Sequence, residues 1–176
     1  VAALNANAQG EPRYLSTILC DKVGGLHLAI AVATGLAHRA RTGEGCCIEA
    51  PMFESTVAFL LSEQLGGETF VPALGPTGYD RLAAPNRKPY RPQDGFMAIL
   101  PYNGAHWAAF FEIIGRAEFA QSPQVQDPVL RSQSVDSLYA IIADVAPTRT
   151  TAAWLASLRT ADIPCARVNT IGELLQ

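Results

Sequence analysis

Positive charge is scarce in this sequence of 176 residues. It carries 13 lysine and arginine residues against 16 aspartate and glutamate residues, and its formal net charge is −3. Nucleic-acid-binding domains typically show a basic excess, so this balance argues against a nucleic-acid partner. The four cysteines have no C-x-x-C spacing, which argues against a structural zinc site and favours reduced thiols in a cytoplasmic protein.

Long apolar runs are missing as well. The uncharged stretch 23–37 is shorter than the roughly 18–20 residues that a bilayer span requires, so we expect a buried core helix and no membrane contact. No signal-peptide pattern, internal repeat or low-complexity tract is present. The first residue is valine and the last residues resemble a helix cut short, so we expect a piece of a longer protein.

The pattern of apolar residues and glycines predicts part of an α/β domain over residues 1–66. A helix at 21–41 is expected to end at Gly43 in the left-handed conformation that closes many helices. A strand at 46–50 and a helix at 52–65 follow. This helix–strand–helix order is typical of α/β proteins.

Glycine and proline dominate residues 67–92, which we expect to form a linker. The remaining residues, 93–176, are expected to form a smaller α+β domain. Its predicted elements are strands at 96–100 and 163–169 and helices at 105–114, 134–145 and 150–160.

A single carboxylate, Asp21, stands at the start of the apolar helix. Gly24 and Gly25 follow in the first turn of the predicted helix, and each costs roughly 1 kcal/mol of helix propensity relative to alanine. Such a cost is tolerated where another backbone or a ligand must come close. Asp21 is either an ordinary N-cap residue or a nucleophile that the helix N-terminus keeps ionised, and one residue can do both.

Other residues near the helix starts give weaker evidence of a functional role. Met52 opens the second helix directly after a predicted strand, where α/β domains bind ligands, although a methionine there is more often plain core packing. Glu49 and Glu54 flank the same turn, and either could serve as a second carboxylate. His27 lies about 240° around the helix from Asp21, so we expect a core or interface histidine.

A cationic segment at 79–91 contains three arginines, a lysine and two tyrosines. That composition can bind a phosphate or pack against a base. Charge runs are more often solvated linkers, and the sequence leaves both interpretations open.

Several motifs, in this order, resemble the class III CoA-transferases, a family that includes formyl-CoA transferase, carnitine CoA-transferase and the α-methylacyl-CoA racemases. The motifs are Asp21-Lys-Val-Gly-Gly-Leu26, Arg39-Ala-Arg-Thr-Gly-Glu-Gly45, Ile48-Glu-Ala-Pro-Met-Phe-Glu54, Pro89-Tyr-Arg-Pro-Gln-Asp-Gly95 and Asp162-Ile-Pro-Cys-Ala-Arg-Val-Asn169. The similarity covers nearly the whole chain.

This resemblance implies a large Rossmann-like α/β domain, a linker and a smaller α+β domain, with two subunits interlocked as rings in a homodimer. It also implies that Asp21 is the catalytic carboxylate and that Met52 lines the pocket for the CoA thioester. We add that the amides near Gly24 and Gly25 could stabilise oxyanions, as a helix N-terminus can.

The implied reaction transfers coenzyme A from an acyl-CoA to a carboxylic acid through a covalent intermediate on Asp21, with no metal and no cofactor other than the CoA substrate. An alternative is a racemase that uses Asp21 as one acid/base and a histidine upstream of this chain as the other. A second alternative is a dimer-forming scaffold fragment without activity.

Overall fold

The chain divides into two compact units, Val1–Gly78 and Tyr79–Gln176, in a computed structural model that describes residues 1–7 and 9–176. This division falls within the predicted linker, residues 67–92. The two units are described separately below.

Two packed helices form most of the first unit. They are α1 (Leu19–Thr42) and α2 (Met52–Gln64), with 3₁₀ turns at Ala3–Asn5 and Gly66–Thr69. The predicted end of α1 is confirmed: Gly43 has φ 79°, and its N–H donates to the carbonyl of Arg39 at 2.8 Å. A left-handed glycine of this kind satisfies a carbonyl in the last turn of the helix.

The predicted strand at 46–50 is wrong, because no strand is assigned there among the described residues. A strand needs a hydrogen-bonded neighbour, and this segment has none in the described part of the unit. Ile48 instead packs its side chain against Gly35 of α1. A β-carbon at position 35 would lie 2.6 Å from Ile48 Cδ1, so a larger residue there would require the Ile48 side chain to move.

The prediction that α1 is buried is also wrong within this unit. Only Val23 and Gly24 of the helix are buried, whereas Leu26 and Ile30 are each 66% exposed. The helix is long and apolar enough to cross a membrane by length and composition, which is weak evidence because core helices of soluble proteins pass the same test. The apolar sequence predicted that α1 is covered by other parts of the protein, and within the described residues α2 and Ile48 cover only part of it.

The glycine-rich stretch after α2 folds back on itself. Gly67 N–H donates to the carbonyl of Pro76 at 3.0 Å, and Gly78 N–H donates to the carbonyl of Gln64 at 2.9 Å. Gly67 packs directly on the backbone of Gly75, which leaves no room for a side chain at position 67. The first part of the predicted linker is therefore an ordered turn.

The second unit is a helical α+β structure around one antiparallel strand pair. Strand β1 (Met97–Ile99) pairs with β2 (Cys165–Arg167), so that Met97 lies opposite Arg167. This is the only sheet among the described residues, and a Rossmann-like parallel sheet stays a prediction for the larger domain. The helices are α3 (Asp80–Ala83), α4 (Gly104–Ile113), α5 (Ala117–Ala120), α6 (Pro123–Gln126), α7 (Pro128–Gln133), α8 (Val135–Val145), α9 (Thr151–Thr160) and α10 (Ile171–Leu174).

The predicted strands and three long helices of this region are confirmed as β1, β2, α4, α8 and α9. Their apolar faces enclose a core of fully buried aromatic and aliphatic side chains. Its largest members are Trp107, Trp154, Tyr90, Tyr139, Phe110, Phe111, Met97, Ile99 and Ile142. This core fixes the second unit around α4, α8 and α9.

Candidate active site

Asp21 is the third residue of α1, and it is not the N-cap. The helix begins at Leu19, two residues earlier than predicted, and Ile18 takes the N-cap position without a side-chain hydrogen bond. The N-cap interpretation of Asp21 is therefore wrong. The carboxylate still lies in the first helical turn, where the helix dipole favours a negative charge.

The carboxylate of Asp21 is exposed and has no hydrogen bond or ion pair with any described residue. Its neighbour Lys22 donates instead to the hydroxyl of Thr17 at 2.9 Å. A carboxylate without an internal partner can act on a bound molecule without first breaking a protein contact.

One turn further along, Gly24 meets Met52 where α1 packs on α2. A β-carbon at position 24 would lie 3.6 Å from Met52 Cγ, which is van der Waals distance. Met52 is 48% exposed, so it packs against α1 with one side and leaves the other open. The structure thus brings together two of the predicted site residues, one helical turn from Asp21.

Gly25 faces open space, because no atom lies within 4 Å of the position of a β-carbon there. Packing within the unit therefore does not explain why the helix has glycine at this position. Close approach of a ligand remains the prediction for this residue.

The predicted oxyanion role of the amides near Gly24 and Gly25 needs correction. The N–H of Lys22 already donates to the carbonyl of Ile18 at 3.2 Å. The regular hydrogen bonds of the helix therefore begin before residue 24 and occupy the amides of Gly24 and Gly25. Only the first amides of a helix lack an intrahelical acceptor, and here they belong to residues 19–21. The earlier helix start moves the free amides to Asp21 and the two residues before it.

Other predicted candidates do not join this cluster by any hydrogen bond. His27 Nδ1 lies 2.9 Å from the carbonyl of Val23, so its ring is tied to its own helix, as expected for a packed histidine. Glu49 and Glu54 are exposed and have no hydrogen-bonded partner among the described residues. Glu54 is, like Asp21, the third residue of its helix, so the motif around Asp21 and not the helix geometry singles out Asp21.

Sequence reasoning missed a second polar cluster, in the second unit. Arg81, which the sequence flagged only as part of a cationic segment, donates from Nε to the hydroxyl of Tyr139 at 2.7 Å. The available signal was a tyrosine within the apolar stripe of α8, because a buried tyrosine usually needs a partner for its hydroxyl.

Solved structures share this fold. The chain matches the hypothetical protein Rv3272 from Mycobacterium tuberculosis with a TM-score of 0.75 and 22% identity, over 97% of this chain and 45% of that one. It matches a CaiB/BaiF family protein from Brucella suis with a TM-score of 0.67 and 21% identity, over 99% of this chain and 46% of that one. The fold is therefore that of the CaiB/BaiF proteins.

A family model, CoA-transferase family III, matches residues 1–176, and the chain belongs to this family. The family resemblance seen in the motifs is thereby confirmed.

Curated relatives with related sequences are CoA-transferases. The chain is 29% identical over 168 residues to acetyl-CoA:oxalate CoA-transferase from Acetobacter aceti, which covers 92% of this chain and 41% of the relative. It is 29% identical over 168 residues to the succinyl-CoA–L-malate CoA-transferase beta subunit from Chloroflexus aurantiacus, over 90% of this chain and 40% of the relative. Succinyl-CoA:glutarate CoA-transferase from Mus musculus is 24% identical over 168 residues, over 94% of this chain and 38% of the relative. The chain thus spans about 40% of the length of these relatives.

Proposed function

We propose that this chain is part of an enzyme that transfers coenzyme A from an acyl-CoA to a carboxylic acid through a covalent intermediate on Asp21. Membership of family III supports CoA transfer in general. The position of Asp21 supports the finer proposal: it is an exposed carboxylate without hydrogen-bonded partners in the first turn of α1. The contact between Gly24 and Met52 lies one turn away.

The reaction proceeds through two carboxylate exchanges. A carboxylate oxygen of Asp21 attacks the thioester carbonyl, and the CoA thiolate leaves, which forms a mixed anhydride. The thiolate then attacks the aspartyl carbonyl of the anhydride and releases the donor carboxylate, which leaves an aspartyl-CoA thioester. Dividing one exchange into two acyl transfers lowers each barrier.

The acceptor completes the cycle by the same steps in reverse order. Its carboxylate attacks the aspartyl-CoA thioester, and the thiolate leaves to form a second anhydride. The thiolate then attacks the acceptor's acyl carbon, which gives the new acyl-CoA and regenerates the carboxylate of Asp21. The free amides of residues 19–21 are placed to donate to oxyanions formed at this helix end.

Dicarboxylic acids are the first acceptors to test. Oxalate, malate and glutarate appear in the names of three relatives, and each carries two carboxyl groups. The proposal includes a cytoplasmic enzyme, because all four cysteines are free thiols, as a reducing compartment would keep them.

The test is chemical trapping on the full-length protein. It is incubated with acyl-CoA, quenched with hydroxylamine or borohydride, and its peptides are mapped by mass spectrometry. We expect a modified Asp21, no adduct in the Asp21→Asn variant, and loss of transfer activity by at least about 10³-fold in that variant, because removal of a nucleophile removes the covalent route.

Two results would contradict the proposal. An adduct on a different carboxylate would move the nucleophile elsewhere. An unmodified Asp21 together with exchange of deuterium from the carbon next to the thioester carbonyl would establish the racemase alternative instead.

A further inference from the structure

A pocket of about 160 Å³ lies within the second unit, among α3, the loop after β1, α7 and α8. At roughly 30 Å³ per water molecule it has room for about five waters, which is enough for an oxyanion group of a few heavy atoms. Its walls carry Arg81, Arg131, Ser132, Tyr102 and Tyr139, and no carboxylate lines it.

Protein contacts hold Arg81 in place without neutralising it. Its guanidinium donates from Nε to the hydroxyl of Tyr139 at 2.7 Å and from Nη2 to the carbonyl of Pro101 at 3.0 Å. The guanidinium carbon also lies 3.9 Å from the centre of the Tyr102 ring. These partners are neutral, so the full positive charge of Arg81 remains at the pocket, with Nη1 free of hydrogen bonds to described residues.

Arg131 brings a second positive charge from α7. Its Nη1 donates to the carbonyl of Val125 at 2.5 Å, which fixes the side chain and again leaves the charge uncompensated. The one salt bridge among the described residues joins Arg167 to Glu173, so neither pocket arginine has an acidic partner there. A planar guanidinium held in this way is suited to recognition of phosphate or carboxylate.

The hydroxyl of Tyr139 orients the Arg81 guanidinium at the pocket. Tyr139 is 0% exposed, and its oxygen accepts from Arg81 Nε at 2.7 Å. Because this partner is buried and belongs to the core, it fixes the side chain of Arg81 without adding a negative charge.

Two acidic residues close to the pocket in sequence, Asp127 and Asp136, have partners of their own, and Asp80, beside Arg81, does not line the pocket. Asp127 caps α7 by accepting from the N–H groups of Val129 and Leu130, and Asp136 accepts from the amide and side chain of Asn86. The pocket therefore combines two fixed cations, a buried phenol and the serine hydroxyl of α7, without an internal anion.

We infer that this pocket is a binding site for an oxyanion, a phosphate or carboxylate group carried by a small molecule, held by the guanidinium groups of Arg81 and Arg131. The site shares no residue with the helix end around Asp21. Arg81 is the one cation of segment 79–91 that lines this pocket, and for that segment the sequence left phosphate binding open.

The test is calorimetric titration of the full-length protein with inorganic phosphate and, separately, with malonate, at constant ionic strength. The key variant is Ser132→Asp, which places a carboxylate at the pocket from an exposed position on α7. Its matched control is Ser132→Asn, which has the same shape without the charge. We expect Ser132→Asp to weaken binding by about tenfold or more, because like charges brought together oppose association strongly, and Ser132→Asn to stay within about threefold of the wild type.

A second pair covers the case in which Ser132→Asp fails to fold. Arg131→Gln is expected to weaken binding by about tenfold, whereas Arg116→Gln, an exposed arginine of the same unit outside the pocket, is expected to leave it unchanged. Tighter binding of phosphate than malonate assigns a phosphorylated ligand, and the reverse assigns a carboxylic acid. Absence of saturable binding to both probes, or equal losses within each matched pair, would overturn the inference.

Discussion

Asp21 and Gly25 lie one turn apart on α1, and each lacks a partner within the first unit. The carboxylate has no hydrogen bond to a described residue, and no atom lies within 4 Å of a β-carbon placed at position 25. A helix interior normally disfavours glycine by roughly 1 kcal/mol relative to alanine. We predict that both residues face a bound substrate.

This account predicts that Gly25→Val lowers kcat/KM for CoA transfer by about tenfold or more, because a branched side chain would occupy the space that the substrate needs. Stability should change little, since valine meets no protein atom there. The measurement is steady-state kinetics beside thermal unfolding. The control is Ala29→Val, at an exposed position one turn further along the helix, and this variant should keep full turnover. Equal losses of kcat/KM in both variants would contradict the account.

At the scale of elements, the absence of a side chain at Gly35 lets Ile48, in the segment that follows α1, pack against that helix. Ile48 Cδ1 would lie 2.6 Å from a β-carbon at that position. We expect Gly35→Ala to lower the free energy of unfolding by about 1 kcal/mol or less, because Ile48 Cδ1 must move, whereas the higher helix propensity of alanine offsets part of that cost. Chemical denaturation measures this change.

A double variant distinguishes this clash from other effects at position 35. Ile48→Val removes Cδ1, so the cost of Gly35→Ala should largely disappear in that background. An undiminished cost would show that the overlap with Ile48 is not its cause.

The start of α9 carries a pH-sensitive contact. Asp94 accepts hydrogen bonds from the amide of Thr151 at 2.6 Å and from its hydroxyl at 2.7 Å, and the backbone hydrogen bond, followed by the side-chain one, lowers the pKa of Asp94. Because the pKa is lower in the folded state than in the unfolded chain, this contact stabilises the fold above the usual aspartate pKa. That stability is lost as the pH falls through the lowered value.

We therefore expect Asp94→Asn to reduce stability at neutral pH and to flatten the loss of stability on acidification below the usual aspartate range. Unfolding curves collected between acidic and neutral pH measure both effects. Asp144→Asn, an exposed aspartate on α8 without such contacts, should leave the pH profile unchanged. A profile for Asp94→Asn parallel to that of the wild type would refute the assignment.

Local signals explain which elements the sequence predicted. Helix α9 has an apolar stripe and a threonine cap, since the side chain of Thr150 accepts from the amide of Ala153, and both features are visible in the sequence. Helices α5, α6 and α7 were missed because each spans only four to six residues, too few for a periodic pattern. The predicted strand at 46–50 failed for a different reason, since a strand depends on a neighbour that its own residues cannot specify.

The candidate site shows the same limit. The position of Asp21 near a helix start could be predicted, because it rests on residues close in sequence. Its place as the third helical residue could not, because the start at Leu19 has no side-chain cap to mark it. The partners of Arg81 could not be predicted either, since Tyr139 lies 58 residues away along the chain.

On the scale of the whole molecule, the first unit leaves large apolar side chains in solvent. Leu26 and Ile30 on α1 and Phe53 and Phe59 on α2 are all more than half exposed. Apolar exposure on this scale marks surfaces that bind other protein. A second copy of the chain, as the interlocked homodimer of the family implies, is our prediction for the occupant.

Ile30→Glu should therefore shift the full-length protein from dimer towards monomer, because it would bury a charge in an apolar contact. Sedimentation velocity over a range of concentrations measures the shift. Val129→Glu changes a residue of similar exposure, 64% against 66%, in the second unit and should leave the dimer intact. An unchanged oligomeric state for Ile30→Glu would remove α1 from the proposed interface.

The distribution of tryptophan has a spectroscopic consequence. Both tryptophans of the chain, Trp107 and Trp154, belong to the second unit and are almost completely buried, whereas residues 1–78 contain none. Emission from these indoles therefore reports only the unfolding of residues 79–176, while far-ultraviolet circular dichroism also records the helices α1 and α2. Denaturation curves from the two signals will coincide only if both units unfold together. A chain that looks folded by fluorescence can thus already have lost the helix that carries Asp21.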